Sequence, residues 1–196
     1  MKPQTVVRIA REGDAVALGA FFLRSWNEAG PDALGFTGAD GEAIKEIASE
    51  AFLTSTLSSP NTKILVAERQ RRVLGFASIK KVGQREAELS GVVVLESETG
   101  HGLGTRLVRK ACSAALSMGF STLTVKTETF NARAIGFYRK SGFVEVKRAT
   151  EKVGKRRIPL MILRRELHQE PRQTKWLARR GHRTNRNGVR EGHQRP

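Results

Sequence analysis

One cysteine in 196 residues leaves no partner for an internal disulfide and too few thiolates for a zinc finger. A disulfide-stapled secreted fold is therefore excluded, and a reducing compartment is expected. Long hydrophobic runs are missing as well. Nothing in the chain approaches the roughly 20 apolar residues of a membrane span, and residues 1–19, MKPQTVVRIAREGDAVALG, lack the apolar stretch of a signal peptide. A soluble, cytoplasmic protein is the expectation. Acidic side chains are scarce beside basic ones, 19 against 35, for a net charge of +16. With 39% hydrophobic residues and a length near that of one domain, the chain has enough apolar matter for one core.

The positive charge is densest at the end of the chain. From Arg164 to Pro196 there are ten Lys or Arg against three acidic residues, and the stretch RRGHRTNRNGVREGHQRP has Val189 as its one aliphatic side chain. Such a segment buries too little to offset its ordering entropy, so residues 168–196 read as a disordered basic tail outside a domain of residues 1–167. Clustered arginine suits weak contact with nucleic acid. The last stretch has neither aromatic stacking residues nor helical periodicity, which favours a solvated extension.

Within residues 1–167, the pattern reads as α+β. Val6 to Ile9 alternates as a strand, and Asp14 stands as an N-cap before a helical spacing at Ala15, Leu18, Phe22, Trp26 and Ala29. One further helix is expected over Ala43 to Phe52, before Ser-Ser-Pro-Asn at 58–61 breaks the chain. Strands over Lys63 to Glu68, Val73 to Val82 and Glu86 to Leu95 form a meander. A helix from Gly104 to Met118, a strand from Thr122 to Thr127, a helix from Ala132 to Ser141 and a final strand pair complete one βαβ crossover.

Two segments carry chemistry. In Thr99-Gly100-His101-Gly102-Leu103-Gly104 the glycines let backbone N–H groups approach an anion at a helix start, where unpaired donors and the positive dipole end suit a pyrophosphate. The spacing matches neither the Rossmann nor the Walker fingerprint. The second segment is Asn131-Ala132-Arg133-Ala134-Ile135-Gly136-Phe137-Tyr138-Arg139-Lys140-Ser141-Gly142-Phe143. In their order and spacing, with Glu88 to Val94 ahead of them, the two segments resemble the GNAT superfamily of N-acetyltransferases over about residues 5–167.

The resemblance implies a mixed, mostly antiparallel central sheet flanked by helices, with a βαβ cofactor-binding core. It implies that Gly100, Gly102 and Gly104, with the amides of Thr99, His101, Leu103 and Thr105, hold the pyrophosphate of acetyl-coenzyme A. Thr99 stands where the family carries Arg or Gln, and offers its backbone and a short hydroxyl instead. Backbone groups of Val92, Val93 and Val94 would pair with the pantetheine arm as an added strand, with Asn131 on its other side and the Val93 N–H available to the carbonyl oxygen.

By the same resemblance, Glu88 is the general base, with Glu86 in reserve, and Tyr138 the general acid. A strand carboxylate paired with Lys or Arg is the equal alternative for Glu88. An aromatic filling the helix–sheet interface is the lesser alternative for Tyr138. The His101 side chain is expected to face solvent and Cys112 to be core. Trp26, Phe22, Phe36 and Phe52 suit an acceptor pocket or the core. Lys-Arg-Arg at 155–157 reads as a hairpin turn.

The activity implied is transfer of acetyl to a primary amine in a ternary complex, on a small molecule or a protein, with no metal and with a homodimer as an allowed assembly. Glu12, Glu28, Asp32, Asp40, Glu42, Glu46 and Glu50 make the acceptor-side helices locally acidic. The rival reading is a non-catalytic acyl-coenzyme A-binding or nucleic-acid-associated module working through the tail.

Overall fold

The computed structural model describes residues 4–29, 41–153 and 156–168; Phe36, Asp32, Asp40, Lys155 and the basic tail beyond His168 lie outside them. Seven strands make one sheet: β1 (Val6–Ile9), β2 (Thr62–Arg69), β3 (Arg72–Lys81), β4 (Glu86–Val94), β5 (Thr122–Glu128), β6 (Val144–Val153) and β7 (Arg156–Glu166). Their order is β1-β2-β3-β4-β5-β7-β6. All neighbours are antiparallel except β4 and β5, which are joined by a crossover helix. Among the described residues the α-helices are α1 (Ala15–Ala29), α2 (Gly41–Ile47), α3 (Glu50–Ser58), α4 (Leu103–Ser117) and α5 (Ala132–Lys140). Among the described residues no helix is long and apolar enough to cross a membrane. This is the mixed sheet with a βαβ unit that the sequence pattern anticipates.

The run Ile64-Leu65-Val66-Ala67 in β2 is buried on both faces, which is why it reads as continuous rather than alternating. One face receives α1, whose Phe21 and Phe22 rings stand 5.9 and 4.8 Å from the ring of Phe76 on β3. On α4 the stripe Leu107, Val108, Ala111, Cys112 and Ala115 is buried, so Cys112 is a core residue as its spacing indicates. The turn between β2 and β3 is made by Gln70 and Arg71 at φ of 50° and 62°, the left-handed conformation that such two-residue hairpins require and usually give to Asn-Gly.

Two local readings need correction. Asp14 closes a single 3-10 turn, Glu12–Asp14, that leads into α1. Its carboxylate turns back to accept from the Arg11 N–H and the Arg8 guanidinium, both at 2.7 Å, so it ties β1 to the turn instead of capping the helix. Arg8 also reaches Glu68 on β2, and the Arg8 hydrogen bond holds the Asp14 carboxyl below its usual range. The single helix expected over residues 43–52 is two, because Ser49 Oγ accepts from the Phe52 N–H at 3.2 Å and starts α3 afresh.

The sheet opens at its centre. β4 and β5 pair only as Glu86↔Thr122, Ala87↔Leu123 and Glu88↔Thr124, while β4 stays paired to β3 out to Val94. The cause is visible in the register: Ile79 faces Leu89 but Ser78 faces Gly91, so Ser90 is an extra residue bulging β4. A bulge bends and twists its strand, here just beyond the last residue shared with β5.

Candidate active site

The opening between β4 and β5 is the floor of a cleft of about 640 Å³. Val92, Val93 and Val94 line it along β4, and Leu95 just beyond the strand's end. Thr99, Gly100, Gly102, Gly104 and Thr105 line it from the loop, Asn131 and Tyr138 from α5 and its cap, and Ser25 and Glu28 from α1. Of the thirteen catalytic and cofactor candidates read from the sequence, ten therefore converge on one cavity. Among the cofactor-site residues, Leu103 is buried in the core and His101 is exposed on the loop. Neither lines the cleft, so what each can offer there is its amide.

The loop has the geometry an anion needs. Gly100 and Gly102 adopt φ of +81° and +74°, which side chains disfavour, and Gly102 is the N-cap of α4 without any side-chain cap. Arg106 N–H already donates to Gly102 O at 3.1 Å, so the free donors are those of the first turn before it. Gly104, which also lines the cleft, has a packing role as well. A Cβ there would lie 3.3 Å from the Phe137 ring, so the third glycine lets α5 close against the start of α4. Thr99 Oγ1 donates to Leu95 O at 3.3 Å, which fixes the loop from within.

Asn131 caps α5, its Oδ1 accepting from the Ala134 N–H at 3.0 Å, and this leaves its side-chain amide to donate. Tyr138 is 8% exposed, with its ring 5.2 Å from that of Phe137 and 5.8 Å from that of Phe143. It packs the interface and lines the cleft at once. Burial, and secondarily the Glu128 carboxylate, push its phenol up to about 12, so it stays protonated at neutral pH. Along β4, the backbone beyond Glu88 has no strand on its β5 side, leaving an edge that an extended ligand can pair with.

Glu88 stands apart from the cleft wall. It is the last residue of β4 paired to β5, and its Oε2 lies 3.1 Å from Nζ of Lys126 two residues along β5 from its register partner. Glu86 is exposed and also off the wall. Phe22 is core against Phe76, Trp26 packs on the same cluster, and Phe52 is exposed away from the cleft. Arg156 and Arg157 belong to β7, paired with Val153 and Lys152.

Besides Glu28, read from the sequence only as part of an acidic helix surface, six cleft residues escaped the sequence reading as site residues: Ser25, Leu95, Glu96, Arg133, Ala134 and Phe137. Arg133 was readable, being inside the Asn131 motif, and its guanidinium lies 4.0 Å from Glu96 with both well exposed. Ser25 carried no signal beyond a polar residue on the apolar side of a helix.

Comparison with known proteins agrees with this geometry. A family profile described as "Acetyltransferase (GNAT) family" matches residues 7–143. An uncharacterised N-acetyltransferase of Mycobacterium tuberculosis is 30% identical over 95 residues, 48% of this chain and 61% of that protein; the match thus spans under two thirds of that relative's length. The uncharacterised N-acetyltransferase YhfO of Bacillus subtilis is 28% identical over 144 residues, 71% of this chain and 89% of its own. Among solved structures, the PaiA N-acetyltransferase of Thermoplasma acidophilum in complex with coenzyme A superposes with a TM-score of 0.65 at 19% identity, covering 83% of this chain and 99% of that one.

Proposed function

This chain belongs to the GNAT acetyltransferase family, and from that premise we propose that it moves the acetyl group of acetyl-coenzyme A onto a primary amine by direct transfer in a ternary complex. One observation carries the reading: the open β4 edge, the loop amides and Tyr138 border a single cleft. The residues present fit such a cosubstrate. Side chains are absent from the loop at Gly100 and Gly102, where open space adjoins the backbone, and the first turn of α4 offers its N–H donors to phosphate.

Bound there, acetyl-coenzyme A would supply an acyl group activated as a thioester. The remaining work falls to the chain. Val92 to Val94 hold the arm by backbone pairing, with the Asn131 side-chain amide donating from the other side. A β4 N–H on the open side, at Val92 or Val94 and not at Val93, whose N–H shares the β3-facing side with that of Leu95, stabilises the carbonyl oxygen as it gains charge. Tyr138, neutral at working pH, gives its proton to the departing sulfur, which at a thiol pKa of roughly 8.5 asks for little acid. Glu88 removes the ammonium proton through water, released from Lys126 or sharing it, since the two are close enough to exchange partners.

The test is thiol release from acetyl-coenzyme A by the purified full-length chain across a panel of amines. Amine-dependent release is expected. Tight acetyl-coenzyme A binding with no amine-dependent release from any acceptor would make the protein a binding module instead.

A further inference from the structure

Lys126 is the one lysine carried by either strand that borders the opening of the sheet. β4 pairs with β5 as far as Glu88↔Thr124, and Lys126 stands two residues further along β5, beside the gap. Two strand rises of ~3.3 Å separate Thr124 from Lys126, and about three separate Glu88 from Val92 once the bulged Ser90 is discounted. Lys126 is therefore about one rise short of the level of Val92, a cleft residue whose N–H faces the open side.

The side chain lies on the face an incoming amine would use. Phe76 and Lys80 are on the face of β3 that receives α1, Lys80 is the register partner of Glu88, and Glu88 is that of Thr124. Lys126, two residues from Thr124, shares this face, and its Nζ lies 3.1 Å from Glu88 Oε2. Folding gains little from an ion pair this open to water. What the pair does is hold a primary amine, half-exposed and on a flexible four-carbon stem, against the carboxylate assigned as base.

We propose that Lys126 is an acetyl acceptor within this protein, modified by its own active site when no outside amine is present. The inference rests on the acetyltransferase reading and adds an internal acceptor to it. Glu88 takes a proton from the Lys126 ammonium, and the neutral Nζ attacks the thioester carbonyl carbon. A C–N bond forms, the C–S bond breaks, and Tyr138 gives its proton to the departing sulfur. The attacking nitrogen sheds its second proton, which restores Tyr138 through water, and the first leaves Glu88 for solvent. One ammonium and one thioester thus become one amide, one thiol and one released proton. An amide is no longer an activated acyl group, so Lys126 keeps the acetyl and does not pass it on. The modification also cancels the lysine charge and releases Glu88 from its ion pair.

The full-length protein is incubated with acetyl-coenzyme A and no added amine, and its lysines are followed by peptide mass spectrometry. Lys126 should gain one acetyl group about tenfold faster than any other lysine, or more, as expected of an amine held beside the thioester. The rate should be independent of protein concentration. The other lysines report uncatalysed acetylation in the same sample. Lys126→Arg, which keeps the charge, should melt at the wild-type temperature and take up no fast acetyl.

Glu88→Gln separates catalysis from shielding. A lysine merely covered by Glu88 would react faster once the ion pair is broken, whereas a lysine deprotonated by Glu88 should react about tenfold slower or more, with the other lysines unchanged. Acetylation of Lys126 at the background rate, a rate that rises with protein concentration, or a faster reaction in Glu88→Gln overturns the inference. Amine-dependent thiol release with Lys126 unmodified overturns it too and leaves the acetyltransferase reading standing. Absence of acetyl-coenzyme A binding by calorimetry would remove both.

Discussion

Lys126 Nζ stands 3.1 Å from Glu88 Oε2, across the last residue pair that joins β4 to β5. The two side chains are 45% and 21% exposed, and a pair so open to water contributes at most about 1 kcal/mol to folding. Its interest is where it lies. If Glu88 is the base, Glu88→Gln should lower turnover roughly 10²–10⁴-fold with acetyl-coenzyme A affinity and melting temperature nearly unchanged. Lys126→Met should alter turnover and leave stability within about 1 kcal/mol. Wild-type turnover in Glu88→Gln would send the search for the base to another group.

Gly102 and Gly119 form a matched pair for testing the loop. Both have positive φ, +74° and +89°, and at both a Cβ would meet nothing within 4 Å. Valine at either should cost about 1–2 kcal/mol or somewhat more in backbone strain. Only Gly102→Val should also raise the dissociation constant for acetyl-coenzyme A, by about tenfold (about 1.4 kcal/mol) or more. Calorimetry on both variants makes the comparison, and equal affinities would remove the loop from the binding site.

Tyr138 is the sole tyrosine of the chain, so near-ultraviolet absorbance follows its ionisation alone. Its phenol is pushed up to about 12 by burial, against roughly 10 when unfolded. The native state therefore holds the proton longer. Stability from this source is complete below pH ~10 and is lost as pH rises towards about 12, by up to about 3 kcal/mol. The absorbance midpoint should move from about 12 to about 10 on adding urea, and Tyr138→Phe should be free of this alkaline loss. The same variant should slow turnover modestly, near the roughly 10²-fold lower end for acid–base groups.

Deleting residues 169–196 should leave turnover and acetyl-coenzyme A affinity intact, since catalysis is assigned to residues up to 167 and that segment has little apolar matter to bury. Full-length protein should bind RNA weakly at low salt, with a steep salt dependence that the deletion abolishes. Filter binding over a salt series measures it. Tight, salt-resistant binding would make the tail a functional element.

Strands and helices were legible because each has one dominant period, and the glycine loop and Asn131 helix were legible because their residues are local in sequence. What escaped depends on contacts between distant segments. The break at Ser49 was written as a cap signal inside an apolar period, and the period masked it. Asp14 reads as a cap until Arg8 from the neighbouring strand claims its carboxylate. The opening of the sheet follows from a one-residue bulge at Ser90, which no alternation pattern distinguishes from an ordinary exposed position. Gly104 reads as part of the phosphate cradle, and its added steric need, the close approach of the Phe137 ring, shows only in the fold. Ser25 is unusual only for a bond it fails to make, and that is invisible without coordinates.

Three residue pairs are a narrow seam for a seven-stranded sheet. On one side lie β1 to β4 with α1 to α3, on the other β5, β7 and β6, and α4, which links β4 to β5 along the chain, packs on β1 to β4. A ligand laid along β4 would extend the ladder into the gap and act as mortar between two plates, so occupancy and rigidity would rise together. The amides of Val92 and Val94, which face the open side of the strand, are where that stiffening would be concentrated. The fold thus keeps its shortest strand pairing directly beneath the cleft, and the same bulge that weakens the sheet makes room for a ligand.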